Sequence, residues 1–205
     1  MTALLLVRHG PTAWNEEGRL QGRSDQPLSA AGRTAVAGWR LPDGAAAAAW
    51  ICSPLKRARE TAEILRSQLA SGGPLAQPLT QDARLVEADW GDWEGHRLEA
   101  LRAAGGAAMA ANEARGLDFR PPNGESPRAV QNRVLPWLRE QAGEARDVVA
   151  VTHKGVIRAV YALASGWDMR DRPPVKLKPA TAHRFALAAD GRPSVSALNI
   201  ALDGA

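Results

Sequence analysis

Three observations predict a layered α/β architecture, a mostly parallel central sheet with helices on both faces. Three short apolar segments, "ALLLV", "AAWIC" and "DVVAVT", lack the polar alternation of a half-exposed strand, as strands covered on both faces do. Two of them run straight into strong helix signals. Strands and helices alternate along the chain, the pattern of a three-layer sandwich. At 205 residues, with 45% hydrophobic and 23% charged, the chain suits one domain able to bury its own core.

The first segment, Ala3 to Val7, hands over directly to Arg8, His9, Gly10 and Pro11. A helix is expected near Ser29 in "SAAGRTAVAGW". The second segment ends at Cys52 and is followed by "SPLKRARETAEILRSQL". There Ser53 is the expected N-cap and Pro54 the first helical residue, with Leu55, Ala58, Ala62, Leu65 and Leu69 as the apolar stripe. Residues from about 88 to 125 are rich in Ala, Gly and Arg and close with "PPNGES", which predicts a cap-like excursion over the site within a single domain spanning 1–205. A further helix starts at Ser126 and Pro127, and Pro136 is expected to kink it. The third segment leads to His153 and the helix "HKGVIRAVYAL". "HRFAL" and "SVSALNI", joined through Asp190 and Gly191, read as a late hairpin at an edge.

Composition narrows the function classes. No stretch approaches the roughly 20 apolar residues of a membrane span. The first apolar run breaks at Arg8 without a small-residue cleavage site, so a secretory signal is not expected and the predicted location is cytoplasmic. Cys52 is the only cysteine, which leaves no intramolecular disulfide or thiolate metal cluster; it reads as a small buried hydrophobe. Lys and Arg number 26 against 22 Asp and Glu, and the formal +4 is scattered, without the basic run of a nucleic-acid arm. Neither nucleic acid nor membrane is an expected partner.

In a sheet of this kind, ligands collect beyond the carboxyl ends of the strands. His9, Ser53 with Arg57, and His153 are expected to converge there. Neutral imidazole is a nucleophile, and a guanidinium beside it opposes protonation. Phosphoryl transfer spreads negative charge over three oxygens and needs forked or cationic donors. Arg8 and Arg57 supply planar guanidinium groups, Arg57 in the first turn of its helix. His153 would add a charged donor, Gly10 a close backbone approach and Asn15 a neutral amide. No carboxylate cluster suited to Mg²⁺ lies near them, so neither cofactor nor metal is expected. A leaving alkoxide also needs a proton, and "RLVEADWGDWEG" offers Glu87, Asp89, Asp92 and Glu94. His96 and His183 read as structural histidines, Lys56 and Arg59 as surface charge, and Trp90 and Trp93 as core or pocket wall.

The blocks "LVRHGPTAWNEEGRLQGRSDQPLSAAGR", "SPLKRARETA", "RLVEADWGDWEG", "PPNGES" and "VTHKGVIR" together resemble the histidine phosphatase superfamily, the phosphoglycerate mutase-like family, in that family's order. The resemblance implies a doubly wound sheet and a His9 nucleophile that becomes phosphohistidine. It implies that Arg8, Arg57 and His153 complete the phosphate pocket and that Glu87 donates the proton. It also makes Asn15 a phosphate contact and Gln21 with Gly22 a substrate loop. Lys154 stands where the family commonly has glycine; at a helix start it opposes the dipole, and an extended anion site and a merely solvated side chain are both open. The expected activity is metal-independent hydrolysis of a small phosphorylated metabolite. Phosphoglycerate mutase is the alternative, then a protein phosphatase or a non-catalytic phospho-ligand module.

Overall fold

The computed structural model describes residues 2–202 other than 71, 72, 74, 76 and 145. The first and last positions of the expected 1–205 unit lie outside the described residues. β1 (Thr2–Arg8), β2 (Ala49–Cys52), β3 (Leu79–Gln81), β4 (Val148–Thr152), β5 (Thr181–Leu187) and β6 (Pro193–Ala201) form one sheet in the order β3-β2-β4-β1-β5-β6. The β1–β4, β4–β2 and β2–β3 pairs are parallel, whereas β5 and β6 join as the predicted antiparallel hairpin. Its turn runs through Gly191, at φ 81°.

The uninterrupted apolar runs are explained by two cores, one on each face. Side chains alternate along a strand. Leu4, Leu6, Val148 and Ala150 therefore pack on one side with α5 (Pro127–Gly143) and α6 (Lys154–Ser165), through Val134, Trp137, Val156 and Val160. Leu5, Val7, Val149 and Val151 pack on the other with α2 (Ala30–Gly38) and α3 (Lys56–Ala70), through Val36, Ala58, Ala62 and Leu65. Cys52 is buried in the second core, and burial pushes its thiol up to about 11, so it is an inert hydrophobe.

Ser29 caps α2 and Ser126 caps α5, as their positions predict. α5 runs unbroken through Pro136, where a kink was expected. The interrupted helix is α4 (Leu98–Glu113), whose Gly106 adopts φ 48°, ψ −127°. A second correction concerns α3, which starts at Lys56 and leaves Ser53 and Pro54 outside the helix. Asp25 accepts from the Lys56 amide at 2.7 Å from a remote loop, and the Ser53 hydroxyl is turned to the site. α1 (Ala13–Glu16) is a single turn closed by a capping box between Thr12 and Asn15.

Candidate active site

The carboxyl ends of β1, β2 and β4 deliver Arg8 and His9, Ser53, and His153 to one end of the sheet. The His9 amide donates to the Thr152 carbonyl at 2.9 Å, which extends the β1–β4 ladder into the site. The His9 and His153 rings lie 5.0 Å apart at 56°. The His9 Nδ1 is 2.7 Å from the Gly10 carbonyl. A carbonyl only accepts, so Nδ1 carries the proton and Nε2 keeps its lone pair. His9 is 6% exposed, and burial first, then Arg8 and Arg57, holds its pKa well below the ordinary imidazole range. The effect expected of Arg8 is present, with desolvation the larger cause.

His153 is fully buried, and its Nε2 pairs with the Ser53 hydroxyl at 2.8 Å. Burial, then His9, Arg57, Arg8 and Arg133, depress its pKa as well. The charged donor expected at this position is thus a neutral imidazole in the free protein; only incoming negative charge would favour its protonated form.

Arg57 is 0% exposed. It donates from one terminal nitrogen to the Ser24 carbonyl at 2.9 Å and from the other to the Gly22 carbonyl at 2.7 Å. The Gly22 carbonyl is therefore a holding point for Arg57, and Gly22 itself bends at φ 53°. Glu94 holds the same loop from its amide side, accepting from the amides of Arg23 and Ser24 and from the Ser24 hydroxyl. Arg57 Nε, Arg8 Nε and His153 Nδ1 are buried without a hydrogen-bond partner among the described residues. Burial lowers the pKa of both guanidinium groups, opposed chiefly by the nearby Glu87.

The four acids left open by the sequence separate cleanly. Glu94 staples the loop, Asp92 accepts from the Asn123 amide, and Asp89 caps the Gly91 amide and faces Arg23 at 3.4 Å. Glu87 sits beside the cations on the cavity wall. Its Oε1 accepts from the Ala88 and Gly155 amides at 2.8 and 2.9 Å, and its Oε2 is 3.2 Å from the Gly155 nitrogen. A Cβ on Gly155 would fall 2.4 Å from Oε1, so the glycine after Lys154 makes room for this carboxylate. Arg133 steadies the segment through the Val86 and Glu87 carbonyls.

These groups face a cavity of about 690 Å³ that Arg8, His9, Arg57 and Glu87 line in part. Asn15, Gln21, Gly22 and Lys154 also lie on its wall, whereas His153 is not among the lining residues. Thr12 donates to the amide oxygens of Asn15 and Gln21, leaving their NH₂ groups as the ends open to a ligand. Gly10 serves a different purpose from the one expected. Its amide donates to Thr61, and a Cβ there would lie 2.3 Å from Val36 of α2, so helix packing demands the glycine. The excursion contributes Trp90 and Phe119, ring centroids 6.0 Å apart, to the wall. Sequence reasoning missed Arg158 and Arg172, which also line the cavity. Arg158 could have been found from its position four residues after Lys154 on an amphipathic helix. Among the described residues, no group of three or more His, Cys, Asp or Glu side chains could hold a metal ion, and no helix is long and apolar enough to cross a membrane.

A neutral histidine among guanidinium groups at the carboxyl edge of a largely parallel sheet defines an α/β protein built to receive an oxyanion. The pattern is that of an enzyme handling phosphoryl groups. The chain belongs to the histidine phosphatase superfamily (branch 1), whose family model matches residues 4–201. It is 36% identical over 182 residues to a glucosyl-3-phosphoglycerate phosphatase of Mycolicibacterium vanbaalenii, covering 83% of this chain and 77% of that one. It is 30% identical over 197 residues to a 2,3-bisphosphoglycerate-dependent phosphoglycerate mutase of Methylobacterium radiotolerans, covering 91% and 90%. Among solved structures, Bacillus stearothermophilus YhfR superposes with a TM-score of 0.80 at 32% identity over 98% of both chains. The relatives thus include both phosphatases and mutases.

Proposed function

We propose that the protein is a phosphomonoesterase that hydrolyses a small phosphorylated metabolite through phosphohistidine at His9, without a metal. The observation that carries this reading is the state of His9. Its Nδ1 proton is committed to the Gly10 carbonyl, its Nε2 has no partner among the described residues, and its neighbours keep it uncharged.

In the first half-reaction, Nε2 attacks phosphorus. The N–P bond forms as the P–O bond to the leaving group breaks, and the departing oxygen takes a proton from the Glu87 carboxyl. Arg8 and Arg57, with orphan donors beside His9, neutralise the charge on the transferring oxygens. In the second, Glu87 as carboxylate accepts a proton from water, the hydroxide oxygen bonds to phosphorus, and the N–P bond returns its pair to Nε2. Residues 88–125 act as the cap, contributing Trp90 and Phe119 to the cavity wall. His9 lies buried on a cavity wall, which suits a free metabolite better than a residue on a folded protein.

The test is phosphate release from a panel of monoesters, with and without chelator. 3-Phosphoglycerate is followed in parallel for conversion to its 2-isomer. Rapid quenching with ³²P-labelled substrate should place acid-labile label on His9 and none on a His9→Ala variant. Isomerisation faster than phosphate release would assign a mutase; full turnover with no label on His9 would remove the mechanism.

A further inference from the structure

The cations on the cavity wall differ in how well they are compensated. Arg19 is paired with Glu17, Arg102 with Glu113 and Arg170 with Asp168. Beside Arg172, which likewise makes no ion pair, Lys154 and Arg158 line the cavity without an acidic partner within ion-pair distance among the described residues. They are four residues apart on α6, so their side chains share one helix face about 5–6 Å apart at Cβ. The Arg158 guanidinium lies over the Trp167 ring, 5.0 Å from its centroid, a contact that leaves its N–H groups available to an anion.

Nearby charge makes the arrangement costly in the free protein. Lys154 has its pKa lowered by desolvation against the wall, then by Arg8 and Arg158, with Lys176 adding to the push. Burial lowers that of Arg158 too. Glu87 is the acid that opposes both shifts, yet its oxygens are already taken by the Ala88 and Gly155 amides. When Glu87 is protonated to serve as the acid, that countercharge disappears. Asp171 is also on the wall, but it makes no ion pair with either cation. The phosphoryl group is already served by Arg8 and Arg57.

We infer that Lys154 and Arg158 form a second anion subsite, and that the preferred substrate is a phosphate monoester carrying a second anionic group on its leaving portion. This inference rests on the phosphatase reading of the site and names its substrate class. Carboxylate and phosphate share the chemistry of a multi-oxygen anion that a guanidinium fork and an ammonium can hold together.

The experiment compares matched substrates, 3-phosphoglycerate against glycerol 3-phosphate and fructose 1,6-bisphosphate against fructose 6-phosphate. The wild type is measured beside Lys154→Gln and Arg158→Gln. The wild type should favour the acidic member of at least one pair by about tenfold or more in kcat/KM, and each variant should cut that preference about tenfold, mainly through KM. The pair that responds tells carboxylate from phosphate. Arg158→Gln also loses its stacking on Trp167, so Lys154→Gln, at an exposed first-turn position, keeps the test alive should the other misfold. A preference absent from the wild type, or unchanged in Lys154→Gln, overturns the subsite.

The phosphatase reading fails separately, if p-nitrophenyl phosphate and every monoester stay intact. Calorimetric binding to His9→Ala then decides the subsite alone. Tighter binding of the acidic member, lost on adding Lys154→Gln, supports it; equal binding of both members overturns it.

Discussion

Replacing Gly155 with alanine tests how the carboxylate is placed. The new Cβ would meet Glu87 Oε1 at 2.4 Å, Ala88 Cβ at 3.1 Å and Glu87 Cδ at 3.3 Å. Ordinary contact begins near 3.4 Å, so the carboxyl must retreat by about 1 Å and its bond to the Gly155 amide lengthens. Gly155 is absent from the positive-φ glycines, so the backbone accepts the substitution. Alanine gains about 1 kcal/mol in helix propensity, while overpacking costs about 1–3 kcal/mol. Stability should therefore fall by about 0–2 kcal/mol, and the urea midpoint is the control. Catalysis should not be spared, since a displacement of about 1 Å costs on the order of 10²-fold in rate. The loss should depend on the leaving group. An alkyl phosphate needs the Glu87 proton and should lose about 10²-fold in kcat/KM, which reports the phosphorylation half-reaction; p-nitrophenyl phosphate, whose phenolate leaves unaided, should lose roughly tenfold less. Unchanged kcat/KM on both substrates would refute the role of Glu87, and equal losses in kcat/KM on both would refute its role as the acid.

Arg57→Met removes both carbonyl contacts of a fully buried guanidinium and an orphan donor beside His9, so kcat/KM should fall by about 10²–10³-fold in steady-state assays. Ser53→Ala removes the hydroxyl that holds the His153 ring; a drop of about tenfold in kcat with little change in KM is expected, and wild-type kcat would dismiss the contact as incidental. Acid should destabilise the fold. His9 and His153 are held neutral well below the usual range, and burial brings His183 to about 4. Unfolded histidines take protons near pH 6.5 while the folded ones do not, so stability falls as pH drops below about 6.5, with His183 alone costing about 3 kcal/mol by pH 4. Urea midpoints measured from pH 7.5 to 4.5 read this directly, and a flat profile would contradict it.

Much of the fold was legible because β1, β2 and β4 are covered on both faces and so carry no polar alternation. β3 escaped notice because three partly exposed residues carry too little pattern to be read. Arg8, His9 and Arg57 could be placed from strand ends and a helix start. Glu87 could not be separated from Asp89, Asp92 and Glu94 by composition, since the distinction lies in which carboxylate meets the first turn of α6, a helix that begins 67 positions later. The start of α3 was misjudged for a related reason. Ser53 and Pro54 have the chemistry of a helix start, but Asp25 takes the cap and frees Ser53 for a histidine 100 positions away.

The orphan donors at Arg8, Arg57 and His153 have a consequence for handling the protein. Polar groups buried without partners are a standing liability that any small oxyanion can relieve, so the melting temperature will report on the buffer as much as on the chain. An oxyanion present at 100 times its dissociation constant contributes about 2.7 kcal/mol, roughly 5–10 °C for a domain of this size. Phosphate or sulfate in a storage solution would thus mask the damage done by a mutation, and an amine buffer with chloride as its counterion gives the truer baseline. A thermal screen of anions in such a baseline becomes a direct search for what the pocket was shaped to hold.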